Sequence, residues 1–303
     1  MSNYQPLVSI LMNCYNGEKY LQEAIDSIYS QTYNNWEIIF IDNCSTDNSA
    51  KIAKSYDQGR LKYYKTKKNI SLGAARNLGI KFINGKFLAF LDTDDVWFSN
   101  KLEKQLNVIG EDIAFVYGPV IQMNEYGKPL RETKINKEKN FKSLLERYDI
   151  NMHSTLINLK IVDVKFNEEL SYCPDFELFM KIVSENHNFI SINSSLVKYR
   201  IHSNSMSRKT INIQMNEVRL VLNQLKKNDF LYNKYKKSFD ICVYKFDCLF
   251  KAKKMIDLKS FYSASKELYF LSKISKKYLI LSILLVIPVL NKFLYNKILY
   301  KYI

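Results

Sequence analysis

Short apolar runs alternate with segments whose apolar residues recur every three or four positions, and this sets the element order of the first two hundred residues. Leu7–Met12 reads as a buried strand that runs into the polar cluster Asn13, Cys14, Tyr15 and Asn16. Leu21, Ile25 and Ile28 then share one face of a helix predicted over Glu18–Gln31. A second strand, Trp36–Ile41, leads into Asp42-Asn43-Cys44-Ser45-Thr46-Asp47, where Ser45 or Thr46 is the expected N-cap of a helix over Asp47–Tyr56. A more polar strand over Leu61–Thr66 precedes a helix over Leu72–Asn84, with Gly85 as its expected C-cap. Next, five apolar residues in a row, Phe87 to Leu91, run straight into Asp92, Asp94 and Asp95. Such a run bounded by a turn signal predicts a strand buried on both faces.

The pattern continues with an amphipathic helix, Lys101–Ile109, and an apolar strand, Ile113–Tyr117. Asn124–Lys142 is polar and reads as a surface excursion with a turn at Gly127-Lys128-Pro129. A strand carrying His153 is expected over Asn151–Leu159. Pro174 suits the first turn of the next helix and places Asp175 at its positive end. Ser195–Ile201 reads as an edge strand followed by His202, and a histidine in that place is more often a surface or satisfied residue than a ligand.

Strands and helices that alternate with short connections predict an α/β fold, a doubly wound, mostly parallel sheet with helices on both faces. Ligand crevices in such sheets lie at the carboxyl ends of the strands, where Asp92, Asp94 and Asp95 fall. Three clustered carboxylates repel one another unless a cation sits among them, and hard oxygen ligands suit Mg²⁺ or Mn²⁺ shared with a substrate phosphate. The alternative is an acidic loop that only starts the next helix, with Ser99 as its N-cap. Asp92 and Asp94 point the same way if the backbone stays extended, and Asp95 turns off with the loop. No G-x-G-x-x-G follows the first strand and no G-x-x-x-x-G-K-[ST] occurs, which argues against a dinucleotide Rossmann site and excludes a P-loop. A nucleotide would therefore be held by side chains and a metal.

Composition adds limits. With 303 residues, 47% hydrophobic and 25% charged, the chain can bury a core larger than one small domain needs. The five cysteines are odd in number, scattered and without C-x-x-C spacing, so neither a disulfide framework nor a zinc site is indicated. That usage and the lack of a signal peptide at the start point to a reducing cytoplasm. Of the net charge of +15, +12 lies in Lys226–Ile303, with seventeen lysines, no arginine and five acids. Beyond Asn212 the chain changes to Lys-, Leu-, Tyr- and Phe-rich helical segments, so a boundary is expected near 207–212, giving domains 1–207 and 208–303. Tyr278–Leu290 is thirteen residues long without charge, too short to span a bilayer, and is flanked by lysines. An interfacial membrane helix near 278–290 is the preferred reading, against a buried core helix whose lysine stems snorkel.

Five pieces in order resemble glycosyltransferase family 2, the inverting enzymes of GT-A fold that build bacterial surface polysaccharides. They are VSILMNCYNGEKYLQEAIDSIYSQTYNNWEIIFIDNCSTDNS, GAARNLGI, FLDTDDVW, PDFELFMKI and YRIHSNSMS, and they span about the first 205 residues. The resemblance implies that Asn13, Tyr15, Asp42, Asn43, Asn77, Asp92 and Asp94 bind the nucleotide sugar. It implies that Asp94, Asp95 and His202 hold Mn²⁺ or Mg²⁺, and that Asp175 is the catalytic base. Two departures stand out: Asn43 replaces a frequent second acid of the strand-two motif, and Pro174 replaces the usual Glu before the base.

The reaction implied is metal-dependent inverting transfer from a nucleotide-sugar donor, a UDP-sugar, to a lipid-linked or saccharide acceptor, by a peripheral protein at the cytoplasmic face of the cell membrane. The anionic membrane surface is the partner expected for the C-terminal helix, and no nucleic acid is expected, since no nucleic-acid-binding motif accompanies the basic tail. The competing readings are a basic nucleic-acid-binding protein and a catalytically inactive scaffold, the latter opposed by the intact acids Asp92, Asp94, Asp95 and Asp175.

Overall fold

The sheet is built outward from β1 (Val8–Cys14), which pairs in parallel with β2 (Trp36–Asp42) on one side and β4 (Phe87–Phe90) on the other. The structure, a computed structural model, describes residues 5–202, 211–257 and 260–271. Beyond β2 lies β3 (Leu61–Lys65), also parallel. Beyond β4 comes β9 (Leu156–Asn158), antiparallel to both neighbours, then β6 (Ile113–Tyr117) and β10 (Asn188–Ser191). The seven-stranded order is β10-β6-β9-β4-β1-β2-β3. A second sheet of four strands contains β5 (Val96–Trp97), β7 (Val120–Asn124), β8 (Pro129–Glu132) and β11 (Val197–Ile201), in the order β5-β11-β7-β8.

Successive side chains of β1 point to opposite faces, and both faces are covered. Val8, Ile10, Met12 and Cys14 join Leu21, Ile25 and Ile28 of α1 (Glu18–Tyr29), Ala53 of α2 (Ser49–Lys54) and Leu102 of α4 (Lys101–Leu106) in one core. On the other face α3 (Leu72–Ile80) comes so close that a Cβ on Gly79 would lie 2.3 Å from Leu11 and 3.1 Å from Ile41. A helix can approach a sheet this closely only through a small residue.

Several boundaries differ from those expected. α3 stops at Ile80, so Gly85 is not its C-cap. Its role is close approach instead: a Cβ there would sit 2.6 Å from the Ser9 amide nitrogen and 2.8 Å from the Leu7 carbonyl. Ser45 does not cap α2, whose N-cap is Asn48, because the Ser45 hydroxyl is taken by the Asn16 amide at 3.0 Å. Asn100, not Ser99, precedes α4. The stretch read as a polar excursion contains β8 and the start of α5 (Phe141–Glu146). Its turn is built by Asn124, which accepts from the amides of Tyr126 and Lys128, and by Gly127 at φ 81°. His153 lies not on a strand but in a 3₁₀ turn, Met152–Ser154, that precedes β9. β11 is not an edge, since β5 and β7 pair with it on either side.

The chain divides into two compact units, Met1–Ser205 and Met206–Ile303. In the second, α8 (Asp229–Asp257) and α9 (Phe261–Phe270) pack through Cys248, Leu249, Ala252, Ala264 and Leu268, and Arg219 of α7 (Ile211–Lys226) pairs with Asp247 of α8. The segment expected to form an interfacial helix, Tyr278–Leu290, lies outside the described residues. No described helix is long and apolar enough to cross a membrane.

Candidate active site

At the carboxyl end of β4 the chain does not continue extended but folds into a tight turn closed by the Asp95 amide donating to the Asp92 carbonyl at 3.3 Å. The turn aims Asp92 and Asp94 at different histidines, so they do not share a direction as expected, while Asp92 and Asp95 both approach His153. Asp92 lies 3.1 Å from His153 Nε2 and 3.7 Å from Arg76 Nη2. Asp94 meets His202 Nε2 at 2.9 Å. Asp95, 1% exposed, accepts the Arg200 amide at 2.9 Å through one oxygen, and its other oxygen lies 3.7 Å from His153.

Local structure explains each placement. Arg76 is a buried residue of α3, its guanidinium 5.2 Å from the centre of the Phe166 ring and directed at the acidic turn. The 3₁₀ turn holding His153 is capped by Asn151, whose side chain accepts the His153 amide at 3.1 Å. Arg200, 3% exposed on β11, grips the turn from the far side: its Nε donates to the Asp94 carbonyl at 2.9 Å and its Nη1 to the Glu125 carbonyl at 3.1 Å. Its remaining guanidinium nitrogen pairs with Glu23 of α1. His202, two residues on, stands with its ring 5.5 Å from that of Tyr20.

The charges follow from these contacts. Burial works to raise the Asp92 carboxyl, but the His153 imidazole and the Arg76 guanidinium outweigh it and hold the pKa at about 2. Burial works to lower His153, and Asp92 and then Asp95 outweigh it, so the imidazole is raised to about 9 and is a cation at neutral pH. Asp95 is pushed well above the usual carboxylate range by burial, with its neighbours Asp94 and Asp92 adding to the effect. On Asp175, in the first turn of α6 (Pro174–Ser184), burial raises the carboxyl against the opposing charges of Arg76 and His153. The structure thus brings Asp92, Asp94, Asp95 and His202 to one turn and places Asp175 within the field of the same two cations.

Of the remaining expected contacts, Asn77 lies on α3 and the others at the ends of β1 and β2, and they are partly committed to the protein itself. Asp42 is fully buried, accepting from the Ser45 amide at 2.7 Å and the Tyr63 hydroxyl at 2.5 Å. The Asn43 side chain bonds both the amide and the carbonyl of Ile70, at 3.0 and 2.8 Å, and so closes the loop after β3. Asn77 is spent on the Phe166 backbone, donating at 2.9 Å and accepting at 2.8 Å. Asn13 differs: its Nδ2 is buried with no hydrogen-bond partner among the described residues. Tyr15, 57% exposed, is open to solvent beside it in the chain.

His153, Arg76 and Arg200 are the participants that sequence reasoning missed. The one available signal was a charged residue among the small residues of α3; nothing periodic marked the other two. For a divalent cation the fit rests on Asp94 and His202, already 2.9 Å apart, and on the buried Asp95 Oδ2, a carboxyl oxygen without a hydrogen-bond partner among the described residues. Asp95 is nevertheless turned toward Arg200 and His153, and no ready cage of three ligands stands among the described residues. Oxygen and imidazole donors of this kind suit Mn²⁺ or Mg²⁺ completed by substrate phosphate oxygens.

Comparison with known proteins agrees with the geometry. A glucosyltransferase of Escherichia coli, UDP-Glc:alpha-D-GlcNAc-diphosphoundecaprenol beta-1,3-glucosyltransferase WfgD, is 32% identical over 207 residues, 66% of this chain and 79% of the relative. The crystal structure of Staphylococcus aureus TarS with UDP-GlcNAc superposes with a TM-score of 0.65 at 20% identity, covering 86% of this chain and 80% of that one. The mannosyltransferase PcManGT of Pyrobaculum calidifontis, in complex with GDP-Man and Mn²⁺, does so with a TM-score of 0.63 at 12% identity, covering 89% and 76%. These structures share the mixed α/β fold with its central sheet. The sequence profile described as glycosyl transferase family 2 matches residues 9–181, more than half of the chain, and the chain belongs to that family.

Proposed function

We propose that the protein transfers a sugar from a UDP-sugar to a hydroxyl of a lipid-linked or polysaccharide acceptor, with inversion and with a divalent cation, Mn²⁺ or Mg²⁺. The observation that carries this is the acidic turn after β4, where His153 and Arg76 face Asp92, His202 faces Asp94, and Arg200 holds Asp95 through its amide and the Asp94 carbonyl through its guanidinium, while Asp175 stands apart under the charges of Arg76 and His153. One remote carboxylate beside a cationic diphosphate site is the arrangement single-displacement transfer needs; a hydrolase would need two carboxylates flanking the bond. The E. coli relative, named for transfer from UDP-Glc to a diphosphoundecaprenol-linked sugar, and the structural neighbour with UDP-GlcNAc support the donor and acceptor classes.

In this reading Asp94, with Asp95 and His202, would hold the cation, which as a Lewis acid neutralises charge on the departing diphosphate. Arg76 and the protonated His153 add positive charge beside Asp92. Asp175 takes the proton of the acceptor hydroxyl while the acceptor oxygen bonds the anomeric carbon and the electron pair of the broken bond leaves with the diphosphate. Its carboxyl, raised by burial, is a better proton acceptor than a solvated aspartate at the same pH. Asn13 and Tyr15, at the end of β1, face the nucleotide in this scheme, with the backbone around Asp42 and Asn43. The basic region from Lys226 onward supports a peripheral position on an anionic membrane at its cytoplasmic face.

Titration calorimetry of UDP and a panel of UDP-sugars, in Mn²⁺ and then in EDTA, tests the proposal. Binding is expected in Mn²⁺ and its loss in EDTA and in Asp94→Ala. Equal affinity in both buffers would remove the cation from the mechanism.

A further inference from the structure

Lys101 is the charged residue nearest the heart of the fold that the proposed reaction leaves unused. It is 0% exposed, in the first turn of α4, and among the described residues no carboxylate lies within ion-pair distance of it. Its Nζ donates to Gln105 Oε1 at 2.7 Å and to the Thr155 carbonyl at 3.2 Å, and it sits 4.0 Å from the centre of the Trp97 ring. Burial alone pushes its ammonium well below the usual lysine range. Gln105, also 0% exposed, completes the arrangement by donating to the Ser154 carbonyl at 2.9 Å and the Val116 carbonyl at 3.1 Å.

Methionine would fill the same space without the cost of burying an unpaired cation or amine. What the amine adds is direction. It fixes the Gln105 amide so that its Nε2 faces Ser154, and it holds the Thr155 carbonyl itself. Both bonds therefore end on the two residues that follow His153, while Trp97, two residues past Asp95, rests on the same amine. The only polar links of α4 to the 3₁₀ turn among the described hydrogen bonds are these.

We infer that Lys101 is a positioning residue, which together with Gln105 sets the turn at 152–155 so that His153 reaches Asp92 and Asp95. Supports that orient a functional group are commonly worth on the order of 10- to 100-fold in affinity or activity, and Lys101 acts on His153 through Gln105, Ser154 and Thr155. The consequence for donor binding rests on the reading of the acidic turn as the diphosphate site; the placement of His153 does not.

The test uses the full chain and the variants Lys101→Met, His153→Gln and the double variant. UDP binding in Mn²⁺ is expected to weaken by about 10-fold or more in Lys101→Met, and the double variant is expected to bind no worse than His153→Gln alone. His153 ring resonances in the NMR spectrum are expected to move in Lys101→Met with or without nucleotide. In Ile28→Val, which trims a core residue on α1, they are expected to stay while the melting temperature falls. Unmoved His153 resonances, or losses that simply multiply in the double variant, would overturn the inference. If the wild-type protein binds no UDP, the diphosphate reading fails while the ring resonances still decide the placement. Should Lys101→Met not fold, Gln105→Met removes the Ser154 link and carries the same expectations.

Discussion

Replacing His153 by Gln in metal-free protein isolates the ion pair at the centre of the site. In the folded chain the imidazole titrates at about 9 in place of its ordinary 6.5, because Asp92 stands 3.1 Å away and Asp95 3.7 Å away. A raised pKa means that the folded state holds a proton the unfolded chain releases, so stability is fully present below pH 6.5 and is lost as pH rises through 9. Each pH unit between the two values is about 1.4 kcal/mol, which sets an upper figure of about 3.5 kcal/mol for the interaction. Asp92 is 39% exposed, and water screens its side of the pair, so about 1–3 kcal/mol is the range to look for. Urea unfolding in EDTA from about pH 6 to about pH 10 measures it. Wild type is expected to lose that amount of stability across the alkaline limb, whereas the Gln variant is weaker at the acidic end and flat. A gap between the two proteins that stays constant across the range would refute the reasoning, because the variant's effect would then be packing and not charge.

Asp175→Asn keeps size and hydrogen bonding but cannot take a proton, so transfer should fall by a factor of at least about 10² with UDP binding in Mn²⁺ near normal; a variant retaining a tenth of wild-type transfer, about 10⁻¹, is too active for a lost base. Because burial raises this carboxyl, the wild-type rate should decline on acidification through a pKa above the usual aspartate range, and the Asn variant should lack that limb. Gly85→Ala puts a Cβ 2.6 Å from the Ser9 amide nitrogen and should cost about 1–3 kcal/mol in denaturant unfolding, through displacement of β1; an unchanged midpoint would contradict the close approach. Removing residues 273–303 should release the protein from anionic vesicles in sedimentation with UDP binding kept, and loss of folding instead would assign that segment to the core.

Most of the strands and helices as far as β6 were legible because burial leaves a period, whereas β5, β7, β8, β10 and α5 were not read. Phe87–Phe90 had to be covered on both faces, and Leu21, Ile25 and Ile28 had to lie on one, whatever their partners. The acidic turn was legible as a candidate site for a related reason: charge at the end of a fully buried strand has only the crevice to occupy. Caps and ends were less so. Ser45 is a good N-cap in isolation, but the Asn16 amide claims its hydroxyl, and Gly85 is fixed by the backbone of β1 rather than by the helix before it.

Only the tertiary structure decided what serves the carboxylates. Arg200 reaches Asp94, Asp95 and Glu23 across 106, 105 and 177 residues, and His153 meets Asp92 because β9 returns antiparallel beside β4. Such pairs leave no periodic trace, since electrostatic attraction acts at the point where the chain comes back and not along it. The same holds for Lys101: a lysine on an amphipathic helix reads as solvated until Thr155 and Trp97 are seen to close over it.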